Sequence, residues 1–206
     1  MSIKAVIFDL DGTITKPYFD FDAIREEMGL DRNSGPVLEA IEKMTSSERL
    51  NAQRILHYHE QKALDESQLN DSAKETLSRL RELGICIGIL TRNTKENAYS
   101  LASMHGLQFD AVVGREDGPV KPDGFGVIHL CEIFGVKPQE TLLVGDYLFD
   151  LICAKSAGAI AVLLANHEKA DEFAKNSDYR IEKISEVIDI IENEKQCMVK
   201  GNSNEY

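Results

Sequence analysis

Five short apolar runs alternate with helix-patterned segments along this chain, and no other feature constrains its fold as strongly. The runs are AVIF (5–8), ICIGIL (85–90), AVV (111–113), TLLVG (141–145) and AIAVLLA (159–165). Each is too short for a buried helix and is bounded by glycine or charge, which marks it as a strand. They are apolar nearly throughout, so both faces of each strand are covered. The segments between them, 72–84, 93–106, 124–135 and 148–158, carry helical spacing, capping residues and a terminal glycine. Strand and helix in alternation predict an α/β fold, a three-layer Rossmann-like parallel sheet.

The first two runs stand much further apart than a strand–helix connection requires. Residues 16–71 between them contain no strand-like run, and Phe21, Ile24 and Met28, then Val37, Leu38, Ile41 and Met44, recur at helical spacing. We expect a small α-helical cap domain over 16–71 inserted into a core of 1–15 and 72–192. Residues 193–206 are polar and read as a flexible C-terminal tail.

The 206 residues hold 35 acidic and 23 basic side chains, a formal net charge of −12. Such a surface repels nucleic acid and anionic membranes, so neither is an expected partner. No apolar run approaches the length of a membrane span, and the N-terminus has no charged region followed by a long apolar one. Cys86, Cys131, Cys153 and Cys197 form no CxxC pair and read as buried reduced thiols. A cytoplasmic protein is expected, as a monomer or weak homodimer.

In open parallel sheets, ligands bind beyond the carboxyl ends of the strands. There AVIF is followed by Asp9, with Asp11 two residues on. ICIGIL is followed by Thr91, Arg92 and Asn93, and TLLVG by Asp146, with Asp150 four residues later. Residues two apart in extended chain can face the same side, so Asp9 and Asp11 point together while Leu10 points into protein. Carboxylates about 5 Å apart repel by roughly 3 kcal/mol at an effective dielectric of 20. Asp9, Asp11, Asp146 and Asp150 at one sheet edge therefore demand a cation or a shared proton. An all-oxygen set suits a hard ion such as Mg2+. His57 and His59, two apart on a helix, point in different directions and could not share a metal. An acidic protein handling an anion also needs a placed cation, and Lys121 in VKPDG is the candidate. Gly12 permits close backbone approach to an anion, and the helix beginning near Asn93 can direct its N-terminal dipole at one.

DLDGT at 9–13, Thr91 at a strand end, Lys121, and GDYLFD at 145–150 together resemble the four ordered motifs of the haloacid dehalogenase (HAD) superfamily. The helical insert after the first motif is similar to the cap of the subgroup with phosphoglycolate phosphatases and β-phosphoglucomutases. The resemblance implies a Mg2+-dependent phosphatase hydrolysing a small phosphorylated metabolite through an aspartyl-phosphate. It implies Asp9 as nucleophile and Asp11 as general acid and base. It implies Thr91 and Lys121 on the phosphoryl oxygens, with Arg92, Asn93 and Gly12 beside them. The metal would take the Asp9 carboxylate, the Asp11 carbonyl, Asp146 and Asp150, the last directly or through water. Tyr147 departs from the small hydroxyl residue common there. The resemblance leaves open a phosphomutase with the same residues, and a catalytically silent binding module of the same fold.

Overall fold

The computed structural model describes the backbone of residues 2–201 and the side chains of 2–194. Two compact units divide the chain, one of Tyr18–Ser67 and the other of the sequence on either side. The connecting positions thus fall two and four residues inside the expected 16–71. Cys197 lies outside the described side chains.

The larger unit opens with β1 (Ala5–Phe8). The smaller unit holds α1 (Phe21–Glu27), α2 (Val37–Glu42) and α3 (Ser46–Asp65). Its own core is Ile24, Val37, Ile41, Ala52 and Leu56. The first two helices are too short to persist unaided, so their stability comes from packing on α3. Asp20 caps α1 by accepting from the Asp22 and Ala23 amides at 3.1 and 3.0 Å. Thr45 and Glu48 close a reciprocal capping box on α3, worth about 1 kcal/mol. Three of the basic side chains on these helices have partners inside the unit. Arg25 donates to Gly35 O and Asp22, Arg49 to Glu42 O, and His59 meets Glu27 at 2.7 Å.

The chain then continues through α4 (Ala73–Glu82), β2 (Cys86–Leu90), α5 (Lys95–His105), β3 (Ala111–Val113), α6 (Phe125–Phe134), β4 (Thr141–Gly145) and α7 (Leu148–Ala157). It ends with β5 (Ile160–Leu164), α8 (Ala170–Phe173), β6 (Tyr179–Ile181) and α9 (Val187–Gly201). The six strands form one parallel sheet in the order β3-β2-β1-β4-β5-β6. The expected α/β three-layer sheet is the one observed, with a sixth strand added. β6 is only YRI, with Arg180 exposed between half-buried Tyr179 and buried Ile181. At a sheet edge one covered face suffices, so no apolar run announces it.

α6 and α7 lay Val127, Leu130, Leu151 and Ala154 against Ile7, Leu143 and Leu163. Burying each large apolar side chain there contributes about 1.5–3 kcal/mol. Of the cysteines, Cys131 and Cys153 are buried and free as expected, whereas Cys86 at the start of β2 is free but half-exposed. The stretch from 193 read as a tail is helical as far as Gly201. Buried Ile190 and Ile191 anchor this helix, and the following Glu, Lys and Gln favour its continuation. Residues 202–206 lie outside the described residues. Among the described residues no helix is long and apolar enough to cross a membrane.

The sheet order places the site. From central β1 the chain winds outward through β2 and β3, then returns to β4 on the other flank and winds outward again. The reversal leaves a crevice beyond the carboxyl ends of β1 and β4. Phe8 pairs with both Ile89 and Val144. The residues that follow these strands therefore leave from one edge.

Candidate active site

Asp9 extends the ladder one residue past β1, its amide donating to Val144 O at 2.9 Å. This fixes its carboxylate beside the end of β4. The chain then turns tightly, with the Thr13, Ile14 and Thr15 amides all directed at Leu10 O. Leu10 points inward and is 1 % exposed, as the two-residue alternation requires. Asp146 follows β4, and Asp150 lies in the first turn of α7, where its Oδ2 accepts from the Tyr147 amide at 3.2 Å. Asp150 thus also offsets the positive end of that helix.

Asp9, Asp146 and Asp150 are buried, and each offers a carboxylate oxygen within 4.8 Å of the others. Lys121, in the loop between β3 and α6, is 3 % exposed. Its Nζ donates to Asp9 Oδ1 and, at 2.6 Å, to Asp150 Oδ1. One ammonium faces three carboxylates, and burial together with this imbalance shifts Asp9 and Asp146. Burial, then the charges of Asp150 and Asp146, hold the Asp9 carboxyl well above the ordinary carboxylate range despite Lys121. Burial, then the Asp150 charge, pushes Asp146 up to about 7. Burial disfavours the Lys121 ammonium, but Asp150 and Asp9 outweigh it and raise its pKa, so this lysine stays charged. The donor set suits a metal: all oxygen, anionic, clustered, and in excess of its protein counter-charge. These three residues could hold a divalent cation.

Two glycines make the cluster possible. Gly12 has φ +92°, and a Cβ there would overlap the Asp146 carboxylate. A Cβ on Gly145 would overlap the Asp150 carboxyl. Gly12→Ala forces an L side chain into left-handed backbone and into a carboxylate at once. We expect it to lower metal-stimulated activity by about a hundredfold or more. Steady-state kinetics across a metal titration would show it.

The other sequence-predicted residues have specific places. Thr91 is 3 % exposed, and its hydroxyl oxygen accepts from the Asn93 amide at 2.9 Å, leaving the O–H free to donate elsewhere. Asn93 directs Nδ2 toward Asp11 Oδ2 at 3.4 Å, and its Oδ1 accepts from Thr94 N and Asn97 Nδ2, both at 2.8 Å. The cap of α5 is Thr94, so Asn93 orients Asp11 from just ahead of the helix. Arg92 donates to Lys121 O and lies over the Phe149 ring, 5.1 Å from its centroid. Its guanidinium thereby anchors the backbone that carries Lys121. Tyr147 is 41 % exposed and meets Phe149, His167 and Phe173 edge to face at 5.1 to 5.4 Å.

Residues that sequence reasoning missed support this arrangement. Thr13 Oγ1 points at Asp146 Oδ1, 3.5 Å away. Asn97 is buried one turn after Asn93 and holds its amide. Asn70 and Asn166 bind carbonyls of the turn after β1. An i, i+4 pair of asparagines opening a helix was a readable signal for Asn97. Asn70 and Asn166 had none, since asparagine in a loop ordinarily means a turn.

The crevice at the reversal point of the parallel sheet thus gathers buried aspartates that follow β1 and β4 and open α7 around one buried lysine. The family model for haloacid dehalogenase-like hydrolases matches residues 3–158, and the chain belongs to that family. It is a hydrolase. It is 32 % identical over 200 residues to an uncharacterized hydrolase of Saccharomyces cerevisiae, covering 93 % of this chain and 92 % of that one. It is 29 % identical over 218 residues to a phosphoglycolate phosphatase of Chromobacterium violaceum, covering 93 % and 97 %. The solved structure of a hydrolase from Pseudomonas syringae shares the fold at a TM-score of 0.76, with 19 % identity and coverage of 92 % and 98 %.

Proposed function

We propose that this chain is a Mg2+-dependent phosphatase that hydrolyses a small phosphate monoester through an aspartyl-phosphate. The observation that carries the reading is the Asp9 carboxylate, charge-paired to buried Lys121 and flanked by Asp146 and Asp150 at the sheet reversal. Asp9 attacks phosphorus, and the bond from phosphorus to the ester oxygen breaks. Asp11 gives its proton to the departing alkoxide. Asp11, now a carboxylate, takes a proton from water as the water oxygen attacks the phosphorus of the aspartyl-phosphate, which releases Asp9 and inorganic phosphate. Thr91, Lys121 and the backbone around Gly12 and Asn93 bind the phosphoryl oxygens. Arg92 keeps Lys121 in position. Asp9, Asp146 and Asp150 would hold Mg2+, which when bound would supply charge stabilisation for the phosphoryl group.

A panel of metabolite phosphates including phosphoglycolate and pyrophosphate, scored by kcat/KM for phosphate release with Mg2+ and with chelator, tests the proposal. Pyrophosphate belongs there because a relative from Bacillus mycoides, 28 % identical over 214 residues, is named pyrophosphatase PpaX. Phosphate release that requires Mg2+ supports it. Turnover only with a bisphosphate activator, with no phosphate released, would make the chain a mutase. No turnover of any ester would make it a silent module. A reducing, cytoplasmic setting is consistent with the free thiols.

The raised pKa of Asp146 gives a pH signature. Between the ordinary value of 3.8 and about 7 the folded protein keeps a proton that the unfolded chain has released. Stability without metal therefore falls as pH rises through that window. A cation held by Asp146 would compete with this proton below about pH 7 and would face an ionised carboxylate above it. The Mg2+-induced rise in melting temperature is expected to be larger at pH 8 than at pH 5.5, and to vanish in Asp146→Ala. Differential scanning fluorimetry with a chelator control would measure both.

A further inference from the structure

We propose that Asn70 and Asn166 are positioning residues that hold the turn carrying Asp11 by gripping the Gly12 carbonyl from two separate segments. The inference rests on the phosphatase reading. Gly12 is buried, and its carbonyl accepts from Asn166 Nδ2 at 2.6 Å and from Asn70 Nδ2 at 3.1 Å. A carbonyl oxygen has two lone pairs, so these two amides can fill both. Asn70 also reaches Thr13 O at 2.7 Å and Thr15 O at 3.1 Å, sharing one NH2 group among three carbonyls of the same turn. Its own amide donates to Ile14 O at 2.9 Å. The segment around it is zipped to the strand exit, with Lys16 N on Gln68 O at 2.8 Å and an antiparallel bridge between Thr15 and Leu69.

Asn166 comes from a separate segment, two residues beyond β5, and is itself exposed. Exposed, it has no packing role in the core, and its amide nevertheless turns inward onto a buried carbonyl. The grip matters because of what Gly12 adjoins. A Cβ on it would overlap the Asp146 carboxylate, and the residue before it is Asp11, to whose carboxylate Asn93 donates at 3.4 Å. Three asparagines from three loops thus fix one turn: Asn93 on the Asp11 side chain, Asn70 and Asn166 on the backbone beside it. Proton transfer depends steeply on placement, since an ångström of drift can cost about a hundredfold in rate. Loss of the grip should therefore penalise the step in which Asp11 protonates the leaving group.

A leaving-group series reads this directly. p-Nitrophenyl phosphate departs as a stable phenolate that hardly needs a proton, whereas phenyl phosphate needs one more. The value of kcat/KM reports the first phosphoryl transfer, and the ratio of the two substrates on one preparation cancels the folded fraction. In Asn166→Ala and Asn70→Ala the phenyl to p-nitrophenyl ratio should fall, by about tenfold in the double variant. Asn166→Asp, which keeps shape but offers no donor, should behave like the alanine variant. Asp11→Asn sets the full effect. A loss shared equally by both substrates, or a ratio within about twofold of wild type, overturns the positioning role while leaving the phosphatase reading intact. Failure of the wild type to hydrolyse either ester would instead overturn the phosphatase reading.

Discussion

Asp9→Asn is expected to reduce phosphate release by about 10⁴-fold or more, while the protein folds and, in chelator, melts no lower than the wild type. The two halves of this result have one origin. An amide is a poor nucleophile and cannot form the aspartyl-phosphate, so the first chemical step is lost. The same carboxylate is an electrostatic burden to the fold, its pKa held above the ordinary carboxylate range by burial and by Asp150 and Asp146. The neutral isostere removes that repulsion and still accepts from Lys121, whose second partner Asp150 remains at 2.6 Å. Activity and apo-stability should therefore move in opposite directions, the pattern of a residue kept for chemistry at a cost in stability. Paired rate assays and thermal melts on one preparation check it. A fully active, correctly folded Asp9→Asn would remove Asp9 from the role of nucleophile.

The clustering of these side chains was readable because each member sits at or near a strand end, where the local pattern announces it. Asp9, Thr91 and Asp146 follow apolar runs directly, and the matched register of β1, β2 and β4 brings them to one edge. Asp150 and Lys121 come within one helical turn or one loop of those positions. What was not readable depends on pairing across the chain. Arg92 holds a carbonyl 29 residues away, and Asn93 reaches a carboxylate 82 residues away. From the sequence both stood beside the phosphoryl oxygens, because nothing local says which distant group a side chain will meet. Asn166 bonds a carbonyl 154 residues earlier. β6 escaped notice for another reason: an edge strand of three residues needs little apolar sequence to be stable. Helix ends shifted by a residue or two, as at Thr94, where two adjacent polar residues could each cap and the hydrogen bond to Asn97 N decides.

Lys121→Met should be the most destabilising single change in the site. Removing one partner of a buried ion pair leaves its carboxylates uncompensated, at a cost of about 3–5 kcal/mol. For a chain of this length that is a fall of roughly 10 °C in melting temperature. The pH dependence separates this from simple loss of packing. In the wild type the folded-state pKa of Lys121 lies above its ordinary 10.5. Its contribution is therefore complete below that value and constant from pH 5 to 9. In the variant, Asp9 and Asp146, already raised by burial, lose their nearest cation and rise further. The folded protein then holds protons over a wider range than the unfolded chain does, so the deficit shrinks toward pH 5 and grows toward pH 8. Mg2+ at pH 8 should recover part of the melting temperature by supplying charge to the same carboxylates. It should not recover turnover, because the phosphoryl oxygens would still lack the ammonium. A deficit that stays flat from pH 5 to 8 would mean that Lys121 fills space and does not balance charge.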